Sequence, residues 1–206
     1  MDIREVRGID ELHAVEDMQI EVWGVSEREI VSALTLIPVV AVGGILLGAF
    51  EDGKLAGFVF GFPGFEGEER IIHSDMLAVS KSYRDRGLGR ALKLAQRDRA
   101  LAMGVDKITW TFDPMQGKNA HLNFGLGVIA DKYLRDFYFE TTSPLHAGGT
   151  DRLWVTWHLH GAPERAAKER IAITTRDAMR AAFESAFARA LIVVGFDRAK
   201  NEYLLG

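Results

Sequence analysis

Apolar residues recur at helical spacing from Asp10 to Trp23, where Leu12, Val15, Met18, Ile20 and Val22 make one imperfect face and Gly24 supplies a stop. Ser26-Glu-Arg-Glu29 reads as a capping box, so the pattern predicts a second helix that ends near Pro38. Alternation then replaces the helical period. Ile45–Phe50 and Lys54–Phe62 read as strands joined through Asp52-Gly53, a dipeptide whose tolerance of positive φ suits a two-residue hairpin. Phe62-Pro-Gly-Phe-Glu-Gly67 reads as a turn and Arg70–Val79 as the next strand. Leu88–Met103 returns to helical spacing, with Leu88, Ala91, Leu92, Ala95 and Ala102 in a stripe ended by Gly104. Lys107–Phe112 is a further strand.

After Asp113-Pro114 the pattern predicts a short helix over Asn119–Leu126, then strands over Val128–Phe139 and Arg152–His160 bracketing a Pro/Gly-rich loop at Ser143–Thr150. Beyond Gly161 the texture changes. Thr174 or Thr175 caps a helix with Met179, Ala182, Phe183, Ala186 and Ala190 in its stripe. A hairpin follows, Leu191–Phe196 and Glu202–Leu205 about a turn at Asp197–Asn201. Two helices, an antiparallel strand pair and a strand–helix–strand unit place the chain in the α/β class, in the broad α+β sense. We divide it into a main domain, residues 1–160, and a C-terminal helix and β-hairpin extension, residues 161–206.

Composition narrows the choice of function. The 206 residues suit one domain, or one domain with an appendage. There is no cysteine, which excludes disulfides, thiolate metal sites and a cysteine nucleophile. The N-terminus, Met1-Asp-Ile-Arg-Glu-Val, lacks the basic-then-apolar layout of a secretory signal, and a cytoplasmic location is expected. Val31–Phe50 runs twenty residues without a charge, enough to span a bilayer by count. Its proline, its glycines and its acidic flanks argue instead for a helix end, a loop and a buried strand, with no membrane partner. A net charge of −4 speaks against a nucleic-acid binder. That charge is unevenly spread, since seven basic residues face two acids between Lys81 and Arg99.

This basic segment holds the most informative stretch, Ser80-Lys-Ser-Tyr-Arg-Asp-Arg-Gly-Leu-Gly-Arg-Ala-Leu92. An apolar strand feeds a short basic loop, two spaced glycines and then an amphipathic helix. That order presents backbone N–H groups at a helix N-terminus beside positions with no side chain, and it predicts a phosphate site. A nucleotide P-loop does not fit, because Gly117-Lys118-Asn119 lacks both the hydroxyl and the upstream glycine. A dinucleotide fold fits poorly and is the lesser alternative: Leu92 stands at the third small-residue position, Asp113 comes late for a ribose-binding acid, and a hairpin precedes the βαβ unit. His158-x-His160 has no third ligand nearby and no His-Glu-x-x-His occurs, so no metal is expected. Gly24-Val-Ser26 is not followed by x-Gly, which removes a hydrolase elbow.

Arg84-Asp-Arg-Gly87-Leu-Gly89 is similar to the pyrophosphate motif, Gln/Arg-x-x-Gly-x-Gly/Ala, of the GNAT superfamily of acyl-CoA N-acyltransferases, and Leu77-Ala-Val79 resembles the strand before it. The order of elements over residues 3–160 is also that family's. Gly57-Phe-Val-Phe-Gly-Phe-Pro-Gly64, Leu92-Lys-Leu-Ala-Gln-Arg97, Trp110-Thr-Phe-Asp-Pro114, Asn119-Ala120 and Asp151-Arg152-Leu153 resemble a bacterial branch of predicted acetyltransferases. The resemblance implies a central mixed, mostly antiparallel sheet flanked by helices, with a splayed parallel strand pair. It implies acetyl-CoA or another acyl-CoA as cofactor, its diphosphate held around Arg84, Asp85, Arg86, Gly87, Leu88, Gly89 and Arg90. The pantetheine arm would run beside Leu77, Ala78 and Val79, with Asn119 touching it. The implied reaction is acyl transfer to a primary amine of a small molecule or amino acid, by direct attack because no cysteine is present. A non-catalytic CoA-binding module of the same fold is the rival.

An alkylammonium with a pKa of ~10.4 is free amine in about one molecule in a few thousand at pH 7, so a base is useful. On the strand ending at Val79, strict alternation puts His73 and Asp75 on one face with Leu77. Their spacing resembles the two-histidine strand of arylalkylamine N-acetyltransferases, with aspartate replacing the second histidine. This makes His73 and Asp75 catalytic candidates, either Asp75 orienting His73 or Asp75 acting as the base itself. A hydrogen-bonded structural pair is the plainer alternative. Leu126 stands where the family's general-acid tyrosine is expected, which leaves Tyr133 and Tyr138 as substitutes, and Tyr138 is taken as the catalytic candidate. For residues 161–206 three roles are open: covering the acceptor side, adding strands to a sheet edge, or building a homodimer.

Overall fold

A computed structural model places ten strands and five α-helices among residues 1–139, 143, 146–162 and 164–206, the residues it describes. The fold is mixed α/β, with mostly antiparallel pairing and one parallel strand pair. The chain forms two compact units, residues 1–108 with 142–148, and residues 109–141 with 149–206. Among the described residues no helix is long and apolar enough to cross a membrane.

The first unit runs β1 (Asp2–Glu5), α1 (Gly8–Trp23), α2 (Ala33–Ala41), β2 (Ile45–Glu51), β3 (Lys54–Glu66), β4 (Glu69–Val79) and α3 (Leu88–Ala102). β1 to β4 lie side by side in that order, each antiparallel to the next. Gly24, at φ 66, ends α1 by returning its N–H to Ile20 O at 2.9 Å. The β2–β3 turn places Asp52 and Gly53 at φ 50 and 78, the two left-handed residues that a tight hairpin requires. Leu12, Val15 and Met18 of α1 and Ala33 and Leu36 of α2 bury one face of the sheet through Leu46, Phe58, Phe60, Met76 and Ala78.

Three expectations need correction. The capping box at Ser26–Glu29 forms, with Ser26 N–H donating to Glu29 Oε2 at 3.1 Å, yet it closes only a turn. The helix starts at Ala33 because α1 claims the intervening backbone. Gln19 Oε1 accepts from Val31 N–H at 2.8 Å, and Glu16 Oε1 accepts from Ala33 N–H at 2.7 Å. Pro38 then lies inside α2, where the carbonyl it leaves unbonded belongs to the solvent-exposed Leu34. The expected turn at Phe62–Gly67 is mostly strand: β3 continues to Glu66, which pairs with Glu69 around Gly67 at φ 63. β2 starts opposite Gly61, so no strand on that side needs the N–H that Pro63 lacks. The short edge strand β1 had not been expected.

The third correction bears on chemistry. Phe60 pairs with Met76 but its neighbour Gly61 pairs with Ser74, so Asp75 is the extra residue of a β-bulge. Beyond it the faces exchange. His73 pairs with Phe62 and shares the face of Phe60, whereas Leu77 pairs with Val59 on the other side. His73 and Leu77 therefore do not share a face, because one inserted residue breaks the period of two.

The second unit takes in the last four residues of β5 (Lys107–Phe112), then α4 (Gly117–Phe124), β6 (Ile129–Leu134), β7 (Arg152–His158), β8 (Glu169–Ala172), α5 (Arg176–Ala188), β9 (Val193–Asp197) and β10 (Glu202–Leu205). Its strands lie in the order β5-β7-β6-β9-β10-β8. Thr175 caps α5, its Oγ1 accepting from Ala178 N–H at 3.3 Å. Phe183 stacks on Tyr133 at 5.5 Å between ring centroids, and Tyr203, fully buried, packs on Phe183, Phe124 and Phe196. The C-terminal segment thus adds strands next to β6, where Val193 pairs with Ala130. β8 had no signature in the sequence. The loop expected at Ser143–Thr150 lies partly outside the described residues.

Candidate active site

β4 feeds a loop that several side chains hold in shape. Ser80 N–H donates to Ala56 O at 3.0 Å, and Arg84 Nε donates to Val79 O at 3.0 Å, folding the loop back on the strand end. A 3-10 turn covers Lys81–Tyr83, and Asp85 and Gly87 follow in left-handed backbone at φ 62 and 77. Gly87 is the N-cap of α3, and a Cβ there would meet nothing within 4 Å. Lys81, Arg84, Asp85, Arg86, Gly87 and Arg90 are exposed, while Leu88 is buried and anchors the turn.

α3 has neither a side-chain cap nor an acid in its first turn, and Ala91 N–H donates to Gly87 O at 3.0 Å. The N–H groups of Leu88, Gly89 and Arg90 thus have no acceptor within the helix. A negative group at such an end gains about 0.3–1 kcal/mol from the helix dipole, or ~2 when partly buried. An open turn with a mainly basic rim, leading into a helix with no acid in its first turn, fits a diphosphate. Lys93 does not belong to that rim: it is buried, 3% exposed, under the sheet.

Leu77, Ala78 and Val79 pair with Val59, Phe58 and Gly57, so one side of this strand is closed by β3. His73 is half-buried with its ring 5.4 Å from that of Phe62, and desolvation, helped by nearby Lys93, pulls its pKa down to about 4. It is a neutral imidazole at physiological pH. Solvent touches Asp75 at the bulge, so desolvation of its carboxyl is partial. The pKa goes up, by an amount that the open side limits.

The remaining candidates lie in the second unit. α4 begins at Gly117, so Asn119 is in its first turn rather than at its cap, and its Nδ2 donates to Gln116 Oε1 at 2.7 Å. The side chain is exposed. Leu126 lies in the turn after α4. Tyr133 is committed elsewhere: its hydroxyl donates to Asp151 Oδ2 at 2.7 Å, and burial together with that carboxylate pushes its pKa up. Tyr138 is 41% exposed, its ring 4.9 Å from that of Phe137 and 5.0 Å from the Arg152 guanidinium. Among the described residues no group of three metal-binding side chains occurs.

Sequence reasoning overlooked a buried polar group beneath the bulge. Lys93 Nζ donates to Ser74 Oγ at 2.9 Å and to Gln96 Oε1 at 3.1 Å. The available signal was helical spacing: Lys93 and Gln96 continue the buried arc of Leu88, Leu92 and Ala100.

Solved structures similar to this fold include several that are acetyltransferases by name. Aminoglycoside 6'-acetyltransferase type Ii superposes with a TM-score of 0.62 at 19% identity, over 79% of this chain and 100% of that one. The ribosomal-protein-S18-alanine N-acetyltransferase from Escherichia coli gives 0.59 at 19% identity, over 81% and 99%. yncA from Salmonella typhimurium, solved with its cofactor acetyl-CoA, gives 0.61 at 16% identity, over 82% and 98%. No curated protein matches the sequence. Residues 13–122, more than half of the chain and including the glycine loop and the bulged strand, match the family described as Acetyltransferase (GNAT) family, and the chain belongs to that family.

Proposed function

We propose that this enzyme transfers the acetyl group of acetyl-CoA, or the acyl group of a related thioester, to a primary amine of a small molecule or amino acid. The observation that carries the reading is the open glycine turn at the start of α3, with N–H groups that have no acceptor within the helix, an exposed basic rim and no acid in the first helical turn. Support for an amine acceptor comes from structural neighbours that are, by name, acetyltransferases of an aminoglycoside and of a ribosomal protein's alanine.

In this reading the amides of Leu88, Gly89 and Arg90 hold the diphosphate and the side chains of Arg84, Arg86 and Arg90 surround it, with Asp85 shaping the turn. Leu77, Ala78 and Val79 line the pantetheine arm, and backbone N–H groups near Leu77–Ala78 polarise the acyl carbonyl. Asn119 contacts the arm from α4. When bound, acyl-CoA supplies a thioester carbon open to an amine and a thiol leaving group.

The chain's own residues handle the protons. Asp75 is assigned the role of base, its raised pKa lying closer to that of the incoming ammonium than an ordinary carboxylate's does. His73, at about 4, is a weak base and serves as a neutral hydrogen-bonding partner. Tyr138 is the candidate that returns a proton to the departing thiol, since the Tyr133 hydroxyl is spent on Asp151. A C–N bond forms and the C–S bond breaks; of the two protons that the ammonium nitrogen sheds, one ends on Asp75 and the other replaces the proton that Tyr138 gives to the departing sulfur. The test is free-thiol release from acetyl-CoA and succinyl-CoA over a panel of small amines and amino acids of both configurations. Turnover with at least one acceptor is expected. Tight CoA binding with no thiol release across the panel would leave a non-catalytic module.

A further inference from the structure

We propose that Lys93 is a positioning residue for acyl transfer, its amine pinning the β4 bulge that carries Asp75 to the same helix whose N-terminus forms the diphosphate turn. The proposal rests on the reading of this site as an acyltransferase.

Three observations carry it. Ser74, which receives the Lys93 amine at 2.9 Å, immediately precedes the bulged residue and is itself buried at 6% exposure. Gln96, fully buried one turn further along α3, accepts from the same amine at 3.1 Å. Its Nε2 sits 2.9 Å from where a Cβ would stand on Gly61, the residue paired with Ser74. Lysine, serine and glutamine thus meet in the space that a glycine vacates opposite the bulge.

Their surroundings are apolar, with Leu88, Leu92 and Ala100 of α3 buried along the same helix face. A leucine or methionine at position 93 would fill this layer without taking an amine out of water, which burial penalises. Polar groups in such a place fix one arrangement among several packings. Here the arrangement fixed is the register of β4 at Asp75. A bulge is otherwise free to migrate by one residue, and migration onto Ser74 would pair Asp75 with Gly61 and turn its side chain to the other face. α3 therefore binds the anion at its first turn and fixes the base-bearing strand through Lys93, about one and a half turns later.

The test compares wild type, Lys93→Met, Ser74→Ala and the double variant. Lys93→Met is expected to melt at or above the wild-type temperature, keep its KM for acetyl-CoA within about twofold and lose at least tenfold in kcat. Because Lys93 acts through Ser74, the double variant is expected to lose no more than Lys93→Met alone. Amide resonances of Asp75 and Met76 are expected to shift in Lys93→Met, a readout that needs no acceptor. Should Lys93→Met fail to fold, Ser74→Ala carries the test alone with an expected loss of about fivefold in kcat. Wild-type kcat in the single variants, losses that multiply in the double, or unmoved Asp75 and Met76 amides overturn the proposal. Absence of turnover in the wild type would instead strike the functional reading, leaving the amide shifts to decide the role of Lys93.

Discussion

Gly61 of β3 and Gln96 of α3 compete for one space: a Cβ on the glycine would lie 2.9 Å from Gln96 Nε2, and equally close to the His73 carbonyl oxygen. A backbone atom cannot step aside as a side chain can. Gly61→Ala is therefore expected to destabilise the protein by about 1–3 kcal/mol through overpacking. Gly67→Ala offers a contrast, since Gly67 has φ 63 but open space around it, and left-handed strain alone costs about 1 kcal/mol. Urea unfolding of the two variants measures the difference. Equal losses would show that the layer under the bulge relaxes.

Gly89 is the second residue of α3, within the turn whose amides have no acceptor in the helix. Gly89→Glu sets a carboxylate on the anion site. It is expected to weaken acetyl-CoA binding at least a hundredfold by calorimetry. The fold should not suffer, because an acid in the first turn favours the helix by about 0.3–1 kcal/mol. Unchanged affinity would remove the glycine turn from the cofactor site.

The parts of this molecule that were legible are those written locally. Asp52-Gly53 and Thr175 act on their immediate neighbours, and the spaced glycines at 87 and 89 dictate a turn from their own backbone freedom. The parts that misled depend on partners distant in the chain. The Ser26–Glu29 box is real, yet Gln19 and Glu16 take the amides of Val31 and Ala33 and move the helix start. Alternation along β4 hides the bulge, because an inserted residue leaves no mark on composition and shows only in the pairing of Phe60 and Gly61 with β3. Lys93 counts as surface charge until the helix phase places it beside Leu92 on the buried face.

Asp75 and His73 make opposite statements about pH. The Asp75 pKa is raised in the folded protein, so the native state holds its proton to higher pH than the unfolded chain does. Its charge therefore opposes folding once the pH passes above both pKa values. Asp75→Asn is expected to be at least as stable as wild type at pH 7 while losing turnover. That loss should be larger at pH 7 than at pH 9.5, where much more of the acceptor amine is already deprotonated. His73→Ala is expected to show the same trend in turnover. Its stability effect has the other sign with acid: the folded His73 pKa of about 4 lies below the ordinary 6.5, so wild type loses stability relative to His73→Ala as pH falls through that window. Rate profiles and melting curves from pH 4 to 9.5 check both. Equal losses of turnover at pH 7 and pH 9.5 would make the pair structural.

Asp151 ties the second unit together. Its carboxylate is closed to solvent, accepts from Arg180 Nη2 at 2.6 Å and Nε at 2.9 Å, from the Asp136 amide at 3.0 Å and from the Tyr133 hydroxyl at 2.7 Å. Burial alone would raise its pKa, but these donors outweigh it and hold the group at about 2. Because the folded pKa lies below the unfolded one, the contribution is present above pH ~4 and is lost as pH falls toward 2. It amounts to about 2 kcal/mol. Asp151→Asn keeps the shape but removes the charge, leaving Arg180 and Tyr133 facing a neutral amide, and is expected to cost about 3–5 kcal/mol at pH 7. The variant's stability should also vary less between pH 4 and pH 2 than that of wild type. Denaturant unfolding at the two pH values measures both effects, and a variant with the wild-type acid response would assign the acid sensitivity to other carboxylates.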